Sequence, residues 1–358
     1  MIPAIVHVAS GREWRGGQRQ VWLLARELGR MGVDQVVVTG ADSELARRLS
    51  AAGVRLRPVQ WKAGLDPRVL PPILGELRHR RAILHAHDAH SLTLAGICAA
   101  LTGTPLIVTR RVTFPIKRKI FWRRAERVIA ISRAVRDALT YDGLPPERLT
   151  IVPSAIDLPE QSESQLDVRT RFGLPEKGQV AVSLAALTRE KDPSTLLEAA
   201  ALLVRDLPGL RWVIVGEGPL RATLQQEITR LGLARRFYLA GQLADAHEAL
   251  AGADVFVLSS RAEGLGSSVL AAMAMGVPVV ASRVGGIPEL LGPDGGLMAA
   301  AGNPAEFAAA VRRVLTHPEY ATELTQAARR RLEHFTPRGM AEQVVEVYRS
   351  CAHSLEGS

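Results

Sequence analysis

Cysteine, aromatic residues and long apolar runs are scarce in this chain of 358 residues. Cys98 and Cys351 are its only cysteines, so a disulfide framework is not expected, and we interpret both as thiols of a reducing compartment. The longest apolar run, near Leu92–Leu101, is too short to cross a bilayer. The start, MIPAIVHVAS, lacks the basic region and the long apolar stretch of a signal peptide. These absences predict a soluble, cytoplasmic protein.

Several motifs are also absent. The dinucleotide fingerprint G-x-G-x-x-G is missing after the first apolar run, where SGREWRGG stands instead. The net charge is +9, which is compatible with anionic partners, but for the overall charge we prefer the interpretation of an arginine-rich composition with a solvated surface. No helix-turn-helix, zinc or RNP-type motif accompanies this charge, so we do not expect nucleic acid as a partner.

The excess positive charge is partly local. Between Arg110 and Arg127 the sequence has eight basic residues and one acidic residue. A guanidinium pair, Arg110 and Arg111, follows the fifth predicted strand and suits a phosphate or carboxylate. The stretch Phe114–Arg127 has the composition of an interfacial helix on anionic lipid, although a solvated basic helix is an equal alternative. The candidates for acceptor or membrane contact are Arg110, Arg111, Lys117, Lys119 and Trp122.

Short apolar runs alternate with helical patterns along the whole chain. Such runs indicate parallel sheets that helices cover on both faces. The predicted strands are Ile5–Val8, Gln35–Thr39, Arg55–Val59, Ala82–His87, Leu106–Thr109, Val128–Ile131, Leu149–Val152, Val180–Leu184, Arg211–Val215, Phe237–Ala240, Asp254–Leu258, Pro278–Ala281 and Gly296–Ala299. The predicted fold is α/β, with two Rossmann-like, doubly wound parallel-sheet domains that face a central cleft.

A polar, structure-poor stretch, Leu158–Asp167, is the best domain boundary. It separates a first domain, residues 1–157, from a second domain, residues 168–336. The end of the chain, residues 337–358, has a helical pattern with one apolar stripe of Met340, Val344, Val345 and Tyr348. We expect this helix to pack back on the first domain.

Histidines cluster at the end of the fourth predicted strand. His85 and His87 share one face because side chains alternate along a strand, and Asp88 and His90 follow them. Two interpretations stay open. The H-x-H pair would hold a metal ion with a further ligand from Asp88 or His90, or one histidine would hydrogen-bond a ligand while the other packs structurally. The sequence has no second His/Asp cluster, which favours the second interpretation.

The second half also places glycines and charged residues after predicted strands. Lys191, with Arg189 nearby, follows the first strand of that domain and would neutralise a diphosphate. Gly216 and Gly218 end the next strand in a tight turn.

The segment Ser259–Glu289 is the most informative. Glu263 follows a strand, glycines including Gly266 permit a tight turn, and Ser267 and Ser268 then open a helix. The first N–H groups of such a helix have no internal partner and attract phosphate. A carboxylate beside this helix start suits a ligand with both hydroxyls and phosphates, such as a nucleotide-sugar.

Seven segments, taken in order, resemble one known family. They are RGG at 15–17, HAHD at 85–88, AISRAV at 130–135, VPSAID at 152–157, VGEGP at 215–219, EGLG at 263–266 and AMAMGVPVVASRVGGIPELL at 272–291. The resemblance is to the retaining nucleotide-sugar glycosyltransferases of family 4, which have the GT-B fold, and it covers nearly the whole chain. It implies that the first domain receives the acceptor and that the second holds the nucleotide-sugar.

The resemblance also implies residue roles. His87 matches the histidine that contacts the donor sugar, Lys191 the lysine on the donor diphosphate, and Glu263 the first glutamate of an E-x7-E pattern, which contacts hydroxyls of the transferred sugar. Gly16 and Gly17 match a loop that approaches the donor phosphates or the acceptor. The expected donor-binding residues are Gly16, Gly17, Arg189, Gly216, Gly266, Ser267 and Ser268. No cofactor is implied and, because the sequence has no D-x-D motif, no metal is expected.

Three positions depart from the family pattern. Ala271 stands where the second glutamate of E-x7-E, which binds the ribose hydroxyls, is expected. Ala186 stands where an arginine is usual before the lysine, and Ser154–Ala155 replaces the commoner asparagine-glycine. The loss of a carboxylate from the ribose would weaken nucleotide binding roughly ten- to a hundredfold.

The resemblance implies a retaining hexosyltransferase that moves a sugar from a nucleotide-sugar to a lipid-linked, lipopolysaccharide-type or polysaccharide acceptor. The basic, aromatic stretch adds an expected peripheral position at the inner face of the membrane. Two alternatives stay open. One is a nucleotide-sugar epimerase or hydrolase of the same fold; the other, suggested by Ala271, is a catalytically weakened sugar-nucleotide-binding protein.

Overall fold

The computed structural model describes residues 2–62, 64–78, 81–116, 119–157, 168–243 and 249–352. The chain forms two compact units. The first comprises the chain up to Ala155 together with the chain from Phe335 onward, and the second comprises Ile156–His334. The boundary predicted at Leu158–Asp167 lies outside the described residues.

The first unit is built on a parallel sheet of seven strands in the order β3-β2-β1-β4-β5-β6-β7. Its strands are β1 (Ala4–Ala9), β2 (Gln35–Gly40), β3 (Leu56–Val59), β4 (Ala82–Ala86), β5 (Leu106–Arg110), β6 (Arg127–Ala130) and β7 (Leu149–Ile151). Its helices up to β7 are α1 (Gly16–Arg30), α2 (Glu44–Ala51), α3 (Leu70–Leu77), α4 (Ala89–Thr102), α5 (Lys119–Arg124) and α6 (Arg133–Tyr141).

The second unit repeats this scheme with six parallel strands in the order β10-β9-β8-β11-β12-β13. The strands are β8 (Val180–Leu184), β9 (Arg211–Val215), β10 (Phe237–Gly241), β11 (Val255–Leu258), β12 (Val279–Ser282) and β13 (Leu297–Ala299). The helices are α7 (Val168–Phe172), α8 (Pro193–Leu203), α9 (Arg221–Arg230), α10 (Ser267–Ala274), α11 (Ile287–Leu291), α12 (Pro304–Thr316) and α13 (Pro318–Leu332). Its hydrophobic core lies between the sheet and the helices that pack on it. In this core the ring of Trp212 stacks on that of Phe237, with the ring centroids 6.2 Å apart.

The last helix, α14 (Pro337–Ala352), belongs to the first unit. The predicted apolar stripe of Met340, Val344, Val345 and Tyr348 is buried in one core with Ile5, Ile83 and Ile107 of the sheet. Burial of a large apolar side chain contributes about 1.5–3 kcal/mol. The stripe therefore attaches this helix firmly to the first unit.

The prediction of two doubly wound parallel-sheet domains is confirmed. All thirteen predicted strands are present, and none differs by more than one residue at either end. The basic helix expected over Phe114–Arg127 is wrong. Lys119–Arg124 is helical, whereas residues 114–116 are not. At the other end Arg127 already pairs with Ile107 in the ladder of β5 and β6, so the helix ends before it.

Among the described residues, none of the helices combines the length and the apolar character that a bilayer-spanning segment needs.

Candidate functional site

The strand order of the first unit reverses between β1 and β4, which are neighbours in the sheet. In open parallel sheets, ligands bind beyond the carboxyl ends of the strands at such a reversal. Asp88 ties the two strand ends together, because its carboxylate accepts hydrogen bonds from the N–H and the hydroxyl of Ser10 at 2.8 and 2.5 Å. It also caps α4 by accepting from His90 N–H and Ser91 N–H. Its carboxylate therefore serves the fold.

Three buried histidines meet beside this reversal. His7 in β1 pairs with His85 in β4, and His87 follows β4. Nδ1 of His7 lies 3.0 Å from Nε2 of His87. The ring of His85 is held from both sides, with Nδ1 2.7 Å from the hydroxyl of Tyr348 and Nε2 2.8 Å from the hydroxyl of Thr109. Sequence patterns single out His85 and His87 but not His7, which stands inside the apolar run of β1.

Nitrogen atoms of these three histidines lie within 4.8 Å of one another, a spacing compatible with a metal ion. Two observations favour a hydrogen-bonded cluster instead. Both ring nitrogens of His85 already have partners. The guanidinium of Arg111 donates to the carbonyl of His87 at 2.7 Å, and its positive charge beside the rings opposes a cation. The absence of a bound metal stays a prediction.

Burial keeps the histidines neutral. It lowers the pKa of His7 to about 3, and a side-chain hydrogen bond with Gln35 offsets part of this effect. Burial also lowers the pKa of His85 and His87 well below the ordinary value, and the neighbouring histidines and Arg111 act in the same direction. The cluster is thus a set of neutral hydrogen-bonding groups.

Because of these histidines, we expect the free energy of unfolding to fall in mild acid. An unfolded chain binds a proton on each histidine below a pH of about 6.5, whereas folded His7 stays neutral down to its pKa of about 3. In this window the unfolded state binds more protons, so the free energy of unfolding falls as the pH falls. Between pH 7 and pH 5 His7 alone should contribute a loss of about 2 kcal/mol, and His85 and His87 add to it. Urea unfolding at both pH values measures the loss. The loss should be smaller in His7→Phe, and an equal loss in that variant would contradict the assignment.

Arg111, which follows β5, joins the cluster. Its Nε is buried and has no hydrogen-bond partner among the described residues. Burial lowers the pKa of Arg111 to about 10, and the charge of Asp88 opposes this effect. Gly17, in the first turn of α1, lies against the same side chain, since a Cβ there would be 3.9 Å from Cδ of Arg111. The fold therefore brings Gly17, His87 and Arg111 together.

Arg110 shapes the neighbouring loop. Its guanidinium donates to the carbonyls of Val112 and Phe114 at 3.0 and 2.5 Å and lies 5.3 Å from the ring centroid of Trp122. Trp122 is buried and packs beneath Arg110, so its ring is not exposed for contact with a membrane. Its contact with an acceptor stays a prediction. Lys117 lies outside the described residues, and Lys119 is described only as the first residue of α5.

In the second unit the strand order reverses between β8 and β11, and Lys191 and Glu263 meet there. Nζ of Lys191 forms a hydrogen-bonded ion pair with Oε1 of Glu263. The same oxygen accepts a hydrogen bond from the hydroxyl of Ser260 at 2.8 Å. The Glu263 side chain is 10% exposed and that of Lys191 29% exposed. Both charges are thus reachable, yet each neutralises the other.

The turn that carries Lys191 is strained. Asp192 is the only residue other than glycine with a positive φ, 45°, among those described. A left-handed backbone costs about 1–2 kcal/mol at such a residue. Three hydrogen bonds compensate: the Asp192 carboxylate accepts from the Thr195 hydroxyl at 2.8 Å and from Nε of Arg261 at 2.9 Å, and its carbonyl accepts from the Ser259 hydroxyl at 2.7 Å. They hold the backbone beside Lys191 in place. No sequence pattern singled out Asp192 for this role.

Two glycines permit close approaches of the backbone in this unit. A Cβ at Gly285 would lie 1.8 Å from the carbonyl oxygen of Glu263, and one at Gly216 would lie 2.0 Å from that of Ala185. Gly285 therefore packs directly on the loop of Glu263. Gly216 packs on the loop that leads to Lys191, so its place in the site is structural.

The two helix starts that the sequence singled out, those of α1 and α10, have no side-chain cap. Helix α1 begins at Gly16 and Gly17, and α10 begins at Ser267 and Ser268 after Gly266. Side chains cap α2, α4, α6 and α12, whereas α3, α8, α9, α11 and α13 also begin without a side-chain cap. The first N–H groups of α1 and α10 are therefore available to phosphate.

Two other positions named from the sequence lie near the donor residues. Arg189 is exposed, two residues before Lys191. Ala271 in α10 is 1% exposed. Because its side chain is a methyl group, it supplies no carboxylate at this position.

Two known families match this chain. Residues 14–160 match glycosyltransferase family 4, and residues 164–331 match the glycosyl transferases group 1. D-inositol 3-phosphate glycosyltransferase of Kineococcus radiotolerans is 30% identical over 91% of this chain and 88% of that protein. Shorter matches cover 49% of EpsD of Bacillus subtilis, at 32% identity over 51% of this chain, and 56% of UDP-Gal:alpha-D-GlcNAc-diphosphoundecaprenol alpha-1,3-galactosyltransferase of Escherichia coli, at 27% identity over 55% of this chain.

Solved structures show the same fold. Alr3699/HepE of Anabaena, in complex with UDP and glucose, superposes with a TM-score of 0.85 at 20% sequence identity. The superposition covers 97% of this chain and 100% of that one. At this identity the likeness establishes the GT-B architecture alone.

Proposed function

The chain belongs to glycosyltransferase family 4, and from this premise we propose that it transfers a sugar, with retention of configuration, from a nucleotide-sugar to a lipid-linked, lipopolysaccharide-type or polysaccharide acceptor. The observation that carries the donor half is the Lys191–Glu263 pair at the strand reversal of the second unit. The acceptor half is supported by the Escherichia coli relative, whose name gives a diphosphoundecaprenol-linked acceptor.

The donor chemistry follows from the charges of the second unit. As the bond from the anomeric carbon to the diphosphate breaks, negative charge builds on the phosphate and positive charge on the sugar ring. Lys191 and the open start of α10 would stabilise the leaving phosphate, and Glu263 would hold hydroxyls of the sugar. His87 is assigned to the same sugar by family resemblance.

The transfer needs no nucleophile from the protein. The acceptor oxygen forms a bond to the anomeric carbon on the face that the diphosphate leaves, and its proton passes to a phosphate oxygen of the leaving group. Lys191 neutralises part of the diphosphate charge, which is the task that a divalent cation performs in other transferases. We therefore propose a reaction without a metal or cofactor.

A second candidate function follows from Ala271. Because this buried alanine supplies no acceptor for ribose hydroxyls, a sugar-nucleotide-binding protein with weak turnover is the alternative. We further propose that the enzyme works at the inner membrane face, where the exposed side chains of Phe114 and Ile120 and the basic residues around them would meet lipid.

A thermal-shift panel of UDP, GDP, ADP and CMP sugars tests the donor half, because a ligand that binds the folded state raises its stability. The stabilising donor is then incubated with acceptors, and NMR of the product reports the anomeric configuration. We expect one donor to stabilise the protein and the product to keep its configuration. Binding without turnover on any acceptor would favour the second candidate, and no stabilisation by any donor would reject both.

A further inference from the structure

A chain of buried polar side chains runs from Gln35 through His7 to His87. Gln35 begins β2, in which Val37 pairs with His7 of β1, so the side chains of Gln35 and His7 lie on one face of the sheet, two residues apart in register. Both side chains are buried. The sugar-transfer chemistry described above uses neither of them, and their polar atoms need a role that justifies their burial.

The amide group of Gln35 has a fixed orientation. Its Nε2 donates to the carbonyl of Ala25, in α1, at 2.6 Å. The reversed amide would place its oxygen against that carbonyl, and two acceptors cannot form a hydrogen bond with each other. Oε1 of Gln35 is therefore the atom that remains for another partner, and it is buried.

This remaining oxygen serves His7. Neither Oε1 of Gln35 nor Nε2 of His7 makes a hydrogen bond of regular geometry to a described residue. The Gln35 side chain still acts on His7 as a hydrogen-bond acceptor does, because it raises the pKa of the ring. Nδ1 of His7 already lies 3.0 Å from His87, so Nε2 is the nitrogen that is left for Gln35. Since an amide oxygen only accepts, the proton of neutral His7 belongs on Nε2.

The position of this proton determines the next bond. With its proton on Nε2, His7 can only accept at Nδ1, so the contact of 3.0 Å requires the proton of His87 to be on Nε2. The opposite assignment would leave two buried acceptors, Nε2 of His7 and Oε1 of Gln35, side by side with no proton between them, which is unfavourable. Burial, the neighbouring histidines and the charge of Arg111 keep His87 from taking a second proton. Nδ1 of His87, which is buried and has no partner among the described residues, is then an acceptor.

Packing fixes the plane of the His87 ring. The ring of His7 is inclined by 23° to it, with centroids 5.2 Å apart, and the ring of His85 lies against it with centroids 4.1 Å apart. His85 is itself held by the hydroxyls of Tyr348 and Thr109. The His87 ring therefore cannot flip without displacing its neighbours, and Nδ1 keeps its direction.

We propose that Gln35 and His7 are positioning residues that hold His87 in the tautomer with its proton on Nε2, so that Nδ1 is an acceptor for a hydroxyl group of the substrate. The inference rests on the proposed function, because His87 is assigned there to the transferred sugar. It adds the direction of the hydrogen bond: the sugar hydroxyl donates and His87 accepts. A fluorine or a methoxy group in place of that hydroxyl cannot form this bond.

Nitrogen-15 NMR of the full chain with labelled histidine tests the proposal without any donor. Protonated and unprotonated ring nitrogens have well-separated chemical shifts, and the signals that disappear in His87→Gln and in His7→Phe are those of the two residues. We expect the proton on Nε2 in both rings and both Nδ1 atoms to be unprotonated. A proton on Nδ1 of His87 would overturn the proposal.

Variants test whether Gln35 and His7 select this tautomer. In Gln35→Leu the proton of His7 can occupy either nitrogen, so His87 should show a second set of signals with its proton on Nδ1. His7→Phe, which removes the acceptor of the His87 proton, should have the same effect and serves if Gln35→Leu does not fold. The matched control is Thr39→Val, which removes another buried and unpartnered polar atom of β2 and should leave the tautomers unchanged. A single, unaltered His87 tautomer in a folded Gln35→Leu or His7→Phe variant would count against the proposal.

A donor links the tautomer to the reaction. The sugar nucleotide found in the thermal-shift panel should shift the Nδ1 signal of His87, and Gln35→Leu should lower its kcat/KM about tenfold while Thr39→Val keeps it. A donor that binds and is turned over without moving this signal would refute the role of Nδ1 as acceptor. Because the tautomers are measured without a donor, a wrong tautomer rejects only this inference. A missing thermal shift with every donor rejects the proposed function instead.

Discussion

Replacing Lys191 by methionine should lower kcat by about 10²–10³-fold, because it removes a preorganised positive charge from the leaving diphosphate. It should also weaken donor binding, since the carboxylate of Glu263 loses its ion-pair partner and then repels the phosphates. Steady-state kinetics with the donor found in the thermal-shift panel measure both effects. Lys177→Met, which removes an exposed lysine from the same unit, is the matched control and should leave both constants unchanged.

A double variant separates the two roles of Lys191. In Lys191→Met/Glu263→Gln the repulsion between the glutamate and the diphosphate is gone, so donor affinity should recover in part while kcat stays low. Residues that share one ion pair are expected to be non-additive in this way. Full activity of Lys191→Met would reject the assignment of this lysine to the diphosphate.

Gly285→Ala should reduce both stability and activity, although it adds only one methyl group. The backbone of Gly285 has a φ of +54°, and the new Cβ would lie 1.8 Å from the carbonyl oxygen of Glu263. A backbone carbonyl cannot rotate away as a side chain can, so the Glu263 loop must move. We expect a loss of about 3 kcal/mol in the free energy of unfolding and a fall of more than tenfold in kcat/KM.

Gly232→Ala is the matched control for this effect. Gly232 also has a positive φ, +68°, but a Cβ there would meet nothing within 4 Å. It should therefore lose only about 1 kcal/mol from the left-handed backbone and keep normal kinetics. If both variants lost the same activity, the contact between Gly285 and the Glu263 loop would have no bearing on the site.

The strands were predictable because each is a short apolar run that turn residues interrupt. The same pattern gave no indication that His7 belongs to the site, because it is one histidine among the five apolar residues of β1. Its importance comes from the order of strands in the sheet, which places β1 beside β4 and so brings His7 to His85. Strand order is a long-range property that a periodicity pattern does not contain.

For the basic segment, the sequence predicted a role that the structure does not bear out in full. Aromatic and basic residues over Phe114–Arg127 indicated an interfacial helix, but composition could not show that Trp122 is buried under Arg110.

The role of Asp192 could be predicted only in part from the sequence. Aspartate tolerates a left-handed backbone better than most residues, and Pro193 follows it, so the sequence indicates a turn at this position. The hydrogen bonds from Thr195 and Arg261 that hold the Asp192 carboxylate are visible only in the structure.

The path of the chain through the two units affects the order of their synthesis and folding. The second unit is one continuous segment, Ile156–His334, whereas the first is completed by α14 at the far end. During synthesis, Tyr348 must therefore emerge from the ribosome before the Nδ1 atom of His85 gains its partner. Domains usually fold in the order of their synthesis, amino-terminal first. Here the later segment can finish first, and we expect the unit that is translated earliest to be the last to become native.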